Sequence, residues 1–223
     1  MVIMYRCVLP QSKTKKNLTV VLQSFNNKKE LDFLIPLLVN KVKAKVVILE
    51  KGSLKKKDFP DTVTFHKLAN KGRELGAFLW YCTRYYNSLS GSFIFASANI
   101  SKHKRLSIIC KLLRSRNKFM CNKKTWPWER SYDFTVEEYL NQKLLPAPVR
   151  PFGAWFEKYV GDFDKWQKTQ PACYNGVFKT HASYLKKRPV LFYKRLNRQL
   201  NAHNAPEAGH YVERAVAGVF GPL

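Results

Sequence analysis

Apolar residues along the chain fall into runs of two kinds. Residues 18–25 (LTVVLQSF), 45–49 (KVVIL) and 92–96 (SFIFA) are short and nearly continuously apolar, as in strands buried on both faces. Residues 62–68 (TVTFHKL) alternate like a strand. Between them lie helical spacings: Leu31, Leu34, Ile35 and Leu38, then Leu75, Phe78, Leu79, Cys82 and Tyr86. Asn70 is a candidate cap for the second helix, with Glu74 in its first turn, where the helix dipole favours a carboxylate. The order βαββαβ predicts an α/β fold, a Rossmann-like, mostly parallel sheet flanked by helices. Ligands of such sheets bind beyond the carboxyl ends of the strands. That singles out the loops at 24–27, 50–53, 70–74 and 97–101.

The second half reads as mostly helical. Leu106, Ile109, Cys110 and Leu113 form one stripe, and two more helices are expected at 135–144 and 151–160. Residues 123–130 (KKTWPWER) read as an aromatic-anchored loop, and 173–179 as a strand returning to the sheet. Pro189 opens a helix with Phe192, Leu196 and Leu200 inward and Lys194, Arg195 and Arg198 outward. A last helix, 206–220, buries Ala208, Tyr211, Val212, Ala215, Val216 and Val219. Its other face carries Glu207, His210 and Glu213. A basic segment, 1–17, is expected to precede a single α/β domain over 18–223.

Composition adds one strong constraint. Forty Lys and Arg against fifteen Asp and Glu give a formal charge of +25, while 45% hydrophobic and 14% aromatic content excludes a disordered polycation. So large a charge calls for an anionic partner, nucleic acid or an acidic protein surface, with other subunits of an assembly as further candidates. The candidate polyanion-binding residues are Lys102, Lys104, Arg105, Lys111, Arg114 and Arg116, from an acid-free stretch, and Lys194, Arg195 and Arg198. The five cysteines show no CxxC spacing and fit buried, reduced thiols. No apolar run is long enough to span a bilayer and no secretory leader is recognisable. The expected location is intracellular (cytoplasmic or nuclear) or within a virion.

Two constellations carry chemistry. Glu207, His210 and Glu213 recur every three residues along one helix face, where two carboxylates around an imidazole can serve as base and orienting group or hold a divalent metal; the competing reading is a solvated face. Asn70, Lys71, Gly72, Arg73 and Glu74 lead into a helix whose exposed N–H groups favour phosphate, with Arg73 as a bidentate partner.

The order of motifs resembles a domain-of-unknown-function family from fungi, bacteria and large DNA viruses that is described as glycosyltransferase-like. The resemblance rests on VVLQSFNN (20–27), VVILEKG (46–52), NKGRE (70–74) and SFIFASAN (92–99). Downstream it continues through PFGAWFEKYVG (151–161), CYNGVFKTHASYLKKRP (173–189) and PEAGHYVERAVAGVFG (206–221). It implies a fold similar to the GT-A glycosyltransferases, with Asn26, Lys51, Asn70, Arg73 and Glu74 around a nucleotide-sugar donor. It also implies Glu213 as base, with Glu207 or His210 as positioning groups. GT-A enzymes carry an Asp-x-Asp-type motif after the strand matching 92–96. Here that stretch reads ASANIS (96–101), without a carboxylate, so no metal ligand set is expected and no cofactor is required. The leading expectation is a glycosyltransferase-like scaffold reused as a basic structural or docking component of a large assembly, a viral shell or nucleoprotein particle. The alternative is an active, metal-independent glycosyltransferase, and a nucleic-acid-binding module acting alone is the third reading.

Overall fold

The computed structural model describes residues 17–101, 105–123 and 130–222. In chain order its elements are β1 (Leu18–Ser24), α1 (Lys28–Pro36), β2 (Lys45–Glu50), β3 (Val63–Lys67), α2 (Arg73–Arg84), β4 (Ser92–Ser97) and α3 (Arg105–Arg114). Then come β5 (Met120–Lys123), β6 (Glu138–Tyr139), β7 (Gln142–Lys143), α4 (Phe152–Tyr159), α5 (Phe163–Thr169) and β8 (Cys173–His181). The chain ends with α6 (Ala182–Leu185), α7 (Val190–Leu200), α8 (Glu207–Arg214) and α9 (Val216–Phe220). It divides into two compact units built from interleaved segments: 1–69, 90–121 and 177–182 in the first, the remainder in the second.

The first unit holds a six-stranded sheet of order β3-β2-β1-β4-β8-β5. β1, β2, β3 and β4 are mutually parallel, and β8 runs antiparallel to β4 with Phe95 opposite Phe178. All of β1 is buried, as its nearly continuous apolar run predicts, with Thr19, Gln23 and Ser24 covered along with it. Alternation sends Val20 and Leu22, with Val46, Ile48 and Ile94, into a core shared with Leu31, Leu34 and Leu38 and with Ile109 and Leu113 of α3. Lys179 on β8 is a buried cation: it is 5% exposed and its Nζ donates to the Ser115 carbonyl at 2.7 Å.

The second unit is helical around an aromatic core. Phe152 packs against Trp155, Phe163, Trp166 and Tyr211, with ring centroids 5.4–6.2 Å apart. Asp162 caps α5 by accepting the Lys165 N–H at 2.8 Å. On α7 the buried side chains are Tyr193, Leu196 and Leu200; Phe192 lies half out, under the Arg188 guanidinium. The last helix breaks at Ala215 (ψ 5°) into α8 and α9.

Three local expectations need correction. The helix expected at 135–144 is instead the β6–β7 hairpin, with Glu138 opposite Lys143 and Tyr139 opposite Gln142. Leu140 and Asn141 both take positive φ (52° and 58°), the two-residue turn whose twist suits a tight hairpin. The cap of α2 is Gly72 at φ 66°, not Asn70. Among the described cysteines, Cys110, Cys121 and Cys173 are disulfide-bonded and Cys82 is free and buried, so they give no support to a reducing compartment. Residues 124–129, most of the expected aromatic-anchored loop, lie outside the described residues. Among the described residues no helix is long and apolar enough to cross a membrane.

Candidate functional site

In the first unit, β1, β2 and β4 end side by side: Ser24 is in register with Glu50, and Gln23 with Ser97. β2 and β4 flank β1 on opposite sides, so this is the sheet's switch point, where open α/β sheets bind ligands. Glu50, the last residue of β2, is fully buried. Its Oε1 accepts the backbone N–H groups of Asn26 (3.1 Å) and Gly52 (2.5 Å), tying together the loops after β1 and β2. Its Oε2 has no hydrogen-bond partner. A carboxylate oxygen buried without a donor is costly, and marks a place where a ligand donor would be welcomed.

The neighbouring residues shape that place. Asn26 sits at φ 59° and its Oδ1 accepts the Ser53 hydroxyl at 2.9 Å. A Cβ at position 52 would lie 2.2 Å from the same oxygen, so the close approach of the two loops requires glycine. Lys51 is 6% exposed and its N–H donates to the Ser24 carbonyl; the Lys67 ammonium donates to the Gly52 carbonyl. Phe25 leaves half its surface in solvent beside them.

Beyond β4, the Asn99 N–H faces the Ser97 hydroxyl, and the Asn99 side-chain oxygen accepts the Ser101 hydroxyl at 2.8 Å. Hydroxyl and amide oxygens without a carboxylate do not suit a hard divalent cation. Among the described residues no group of His, Cys, Asp and Glu is arranged to hold a metal ion.

In the second unit the Glu207, His210, Glu213 stripe is no solvated face. Glu207 is fully buried and accepts from the N–H groups of Val136 (3.1 Å) and Ala147 (2.8 Å), from the Tyr211 hydroxyl (2.8 Å) and from Arg150 Nε (3.1 Å). Every direction of that carboxylate is engaged. Glu213 is half-buried and accepts the Asn175 N–H at 2.7 Å. Asn175 and Gly176 both take positive φ, and a Cβ on Gly176 would meet Glu74 Cγ at 2.6 Å. His210 is 8% exposed, with its Nε2 buried and unpartnered. Burial first, then the nearby Arg73 and Arg214 charges, lower its pKa to about 3, so the imidazole is a neutral group.

Tyr139, from the hairpin that replaced the expected helix, lies between the two: its ring is 4.8 Å from the Arg73 guanidinium and 4.8 Å from the His210 ring. Arg73 itself has φ 46°, a strained start to α2. Arg214 is 5% exposed, stacks 3.7 Å from the Phe134 ring, and donates to the His210 carbonyl. The spacing of the stripe was readable; Tyr139, Arg214 and Glu50 were not among the residues it pointed to. Asn26 and Lys51 thus belong to the first unit, and Asn70, Arg73 and Glu74 to the second.

The basic residues also separate. Lys111, Arg114, Arg116, Lys194, Arg195 and Arg198 are exposed, as a polyanion surface requires, whereas Lys102 and Lys104 lie outside the described residues. Arg105 departs from the expectation: it is 8% exposed and its Nη1 donates to the Asn99 carbonyl, so it braces the loop after β4. Arg114 and Arg116 lie at the other end of α3, about 15 Å along the helix axis from that loop.

No family model matches this chain, and no curated protein is similar to it. Several solved structures match it remotely, one of them an enzyme. It is a galactosyltransferase, LgtC, in complex with donor and acceptor sugar analogues; the match has 7% identity and a TM-score of 0.39, over 91% of this chain and 70% of that one. A likeness so remote carries no argument about chemistry; the fold class stands on the sheet order above.

Proposed function

We propose that the first unit is a nucleotide site of glycosyltransferase type, holding the nucleoside of a nucleotide-sugar at the carboxyl ends of β1, β2 and β4. The observation that carries this reading is the buried, partnerless Oε2 of Glu50 at the switch point. A ribose hydroxyl or a base N–H supplies the missing donor, and the exposed Phe25 ring offers a face for the base. Asn26 and Lys51 belong to the same rim. The segment after β4 lacks the carboxylates a diphosphate-bound cation needs, so protein cations take its place on this reading. As a distinct proposal for the second unit, Arg73 at the start of α2, beside Asn70 and Glu74, is an anion partner. In the same unit Glu213 is a proposed base, with His210 as its neutral neighbour. Glu207 acts by holding the segments around it.

A thermal-shift panel of nucleoside diphosphates and nucleotide-sugars, run in EDTA, tests the reading: stabilisation by at least one nucleotide is expected, and none across the panel would reject it. A second reading, a basic docking component of a nucleoprotein particle or viral shell, is favoured by the exposed Lys111, Arg114 and Arg116 at the far end of α3 from the strand-end loops. It predicts polyanion binding that survives loss of the nucleotide site.

A further inference from the structure

The second unit carries a groove separate from both clusters described above, between the C-terminal end of α2 with its following turn and the start of α7. It encloses about 290 Å³, and its lining includes Arg84, Tyr85, Asn87, Ser88, Val190 and Lys194. Lys186 reaches the rim, with Nζ 3.5 Å from the Asn87 carbonyl, and Lys187, Arg195 and Arg198 are exposed on the α7 side. The start of α7 is pinned there: the Tyr86 hydroxyl donates to the Arg188 carbonyl at 2.6 Å, and the buried Tyr193 hydroxyl to the Leu185 carbonyl at 2.9 Å.

Charge is segregated around this groove. No Asp or Glu occurs in residues 75–128 or 165–206, the sequence ranges within which its lining residues fall. Among the described residues, the exposed carboxylates of the second unit, Asp133, Glu137, Glu138, Glu157, Asp162 and Asp164, all come from 133–164. Cations without nearby carboxylates keep their full field for a ligand.

We propose that this groove binds the phosphate backbone of single-stranded nucleic acid without reading its sequence. Arg84 and Lys194 meet phosphates from the two walls, and the Asn87 side-chain amide donates to phosphate or sugar oxygens between them. A concave trough suits a flexible single strand; a duplex is read by elements that protrude into its grooves. An acidic protein fits less well. Apart from Val190 the lining is charged, hydroxyl, amide or aromatic, whereas a protein interface needs apolar anchors over an area on the order of 800 Å² per partner. This site is independent of the proposed nucleotide site.

The test is fluorescence anisotropy of labelled oligo-dT across a salt series. It compares the full chain with Arg84→Glu/Lys194→Glu and with a control of equal charge change, Lys165→Glu/Lys168→Glu, at exposed positions on α5. Removing two phosphate contacts is expected to weaken binding by about tenfold or more and to reduce the slope of log K against log salt by about 1.4. The control is expected to keep most of both. Equal losses in the two variants would mean that net charge alone binds the strand, and would overturn the proposal. So would polyglutamate binding as tightly as oligo-dT with the same dependence on Arg84 and Lys194. Should the Glu pair shift the urea midpoint, Arg84→Gln/Lys194→Gln is measured in its place, with a slope loss of the same size expected and an unchanged slope overturning the proposal.

Discussion

Glu207→Gln is expected to destabilise the second unit sharply. The carboxylate is fully buried, with Oε2 accepting the Ala147 N–H and Oε1 accepting the Val136 N–H and the Tyr211 hydroxyl. An amide places an NH₂ where one oxygen was. In one orientation it faces the Ala147 N–H, in the other the Val136 N–H, so one buried donor loses its acceptor either way. That costs about 1–3 kcal/mol. The Arg150 side chain is 33% exposed, so losing its ion pair adds less than about 1 kcal/mol. The sum, about 1–4 kcal/mol, is a large share of the stability ordinary for a domain. Urea unfolding followed by tryptophan fluorescence reads it through Trp155 and Trp166, both buried in the same unit. The midpoint should fall with the m-value unchanged. A change below about 0.5 kcal/mol would refute the assignment of Glu207 to holding the structure and return it to the chemistry.

Other expectations follow from the same structure. The unfolded chain protonates His210 near 6.5, the folded protein only near 3. Between those values the unfolded state binds more protons, so His210 removes up to about 1.4 kcal/mol of stability per unit as pH falls through that window. His210→Gln should flatten the slope of stability against pH between 6.5 and 4.5, as measured by urea midpoints; an unchanged slope would place the titration elsewhere. Gly72→Ala puts a Cβ 2.9 Å from the Leu200 carbonyl oxygen at φ 66° and should cost about 1–2 kcal/mol or more. A thermal melt equal to that of the wild type would contradict that geometry. Burial pushes the Cys82 thiol pKa well up, so the native protein should leave Cys82 unmodified by iodoacetamide and expose it only on unfolding, as mass mapping would show.

How legible the fold was depended on the scale of each signal. The continuous runs at β1, β2 and β4 announced buried parallel strands, because nothing but a covered sheet accommodates so many β-branched and aromatic residues in succession. The stripe on α2 was equally plain. The β6–β7 hairpin was not. Val136, Leu140 and Leu144 recur at a helical spacing, and the turn rests on left-handed backbone at Leu140 and Asn141, of which only the asparagine gives a hint. The site followed the same logic. The three-residue spacing along α8 identified a functional-looking face. Its burial depends on Val136, Tyr139 and Ala147, distant in sequence and partly in the misread hairpin. Glu50 opened one of the strand-end loops that the sheet singled out, yet its own role was not readable there. Its unpartnered oxygen exists only once the loops at Asn26 and Gly52 have closed on its other side.

The nucleotide site is tested most directly by isothermal titration of nucleotide-sugars into the full chain in EDTA, comparing wild type with Glu50→Gln. Oε1 holds both loops and Oε2 holds nothing, so the amide can keep the loops in place and turn its NH₂ toward the ligand. The variant should therefore keep its urea midpoint. It should lose affinity by about tenfold or more, because a ligand donor then meets a donor. Binding by no nucleotide in the panel, or equal binding by wild type and Glu50→Gln, would contradict a nucleotide site at the ends of β1, β2 and β4.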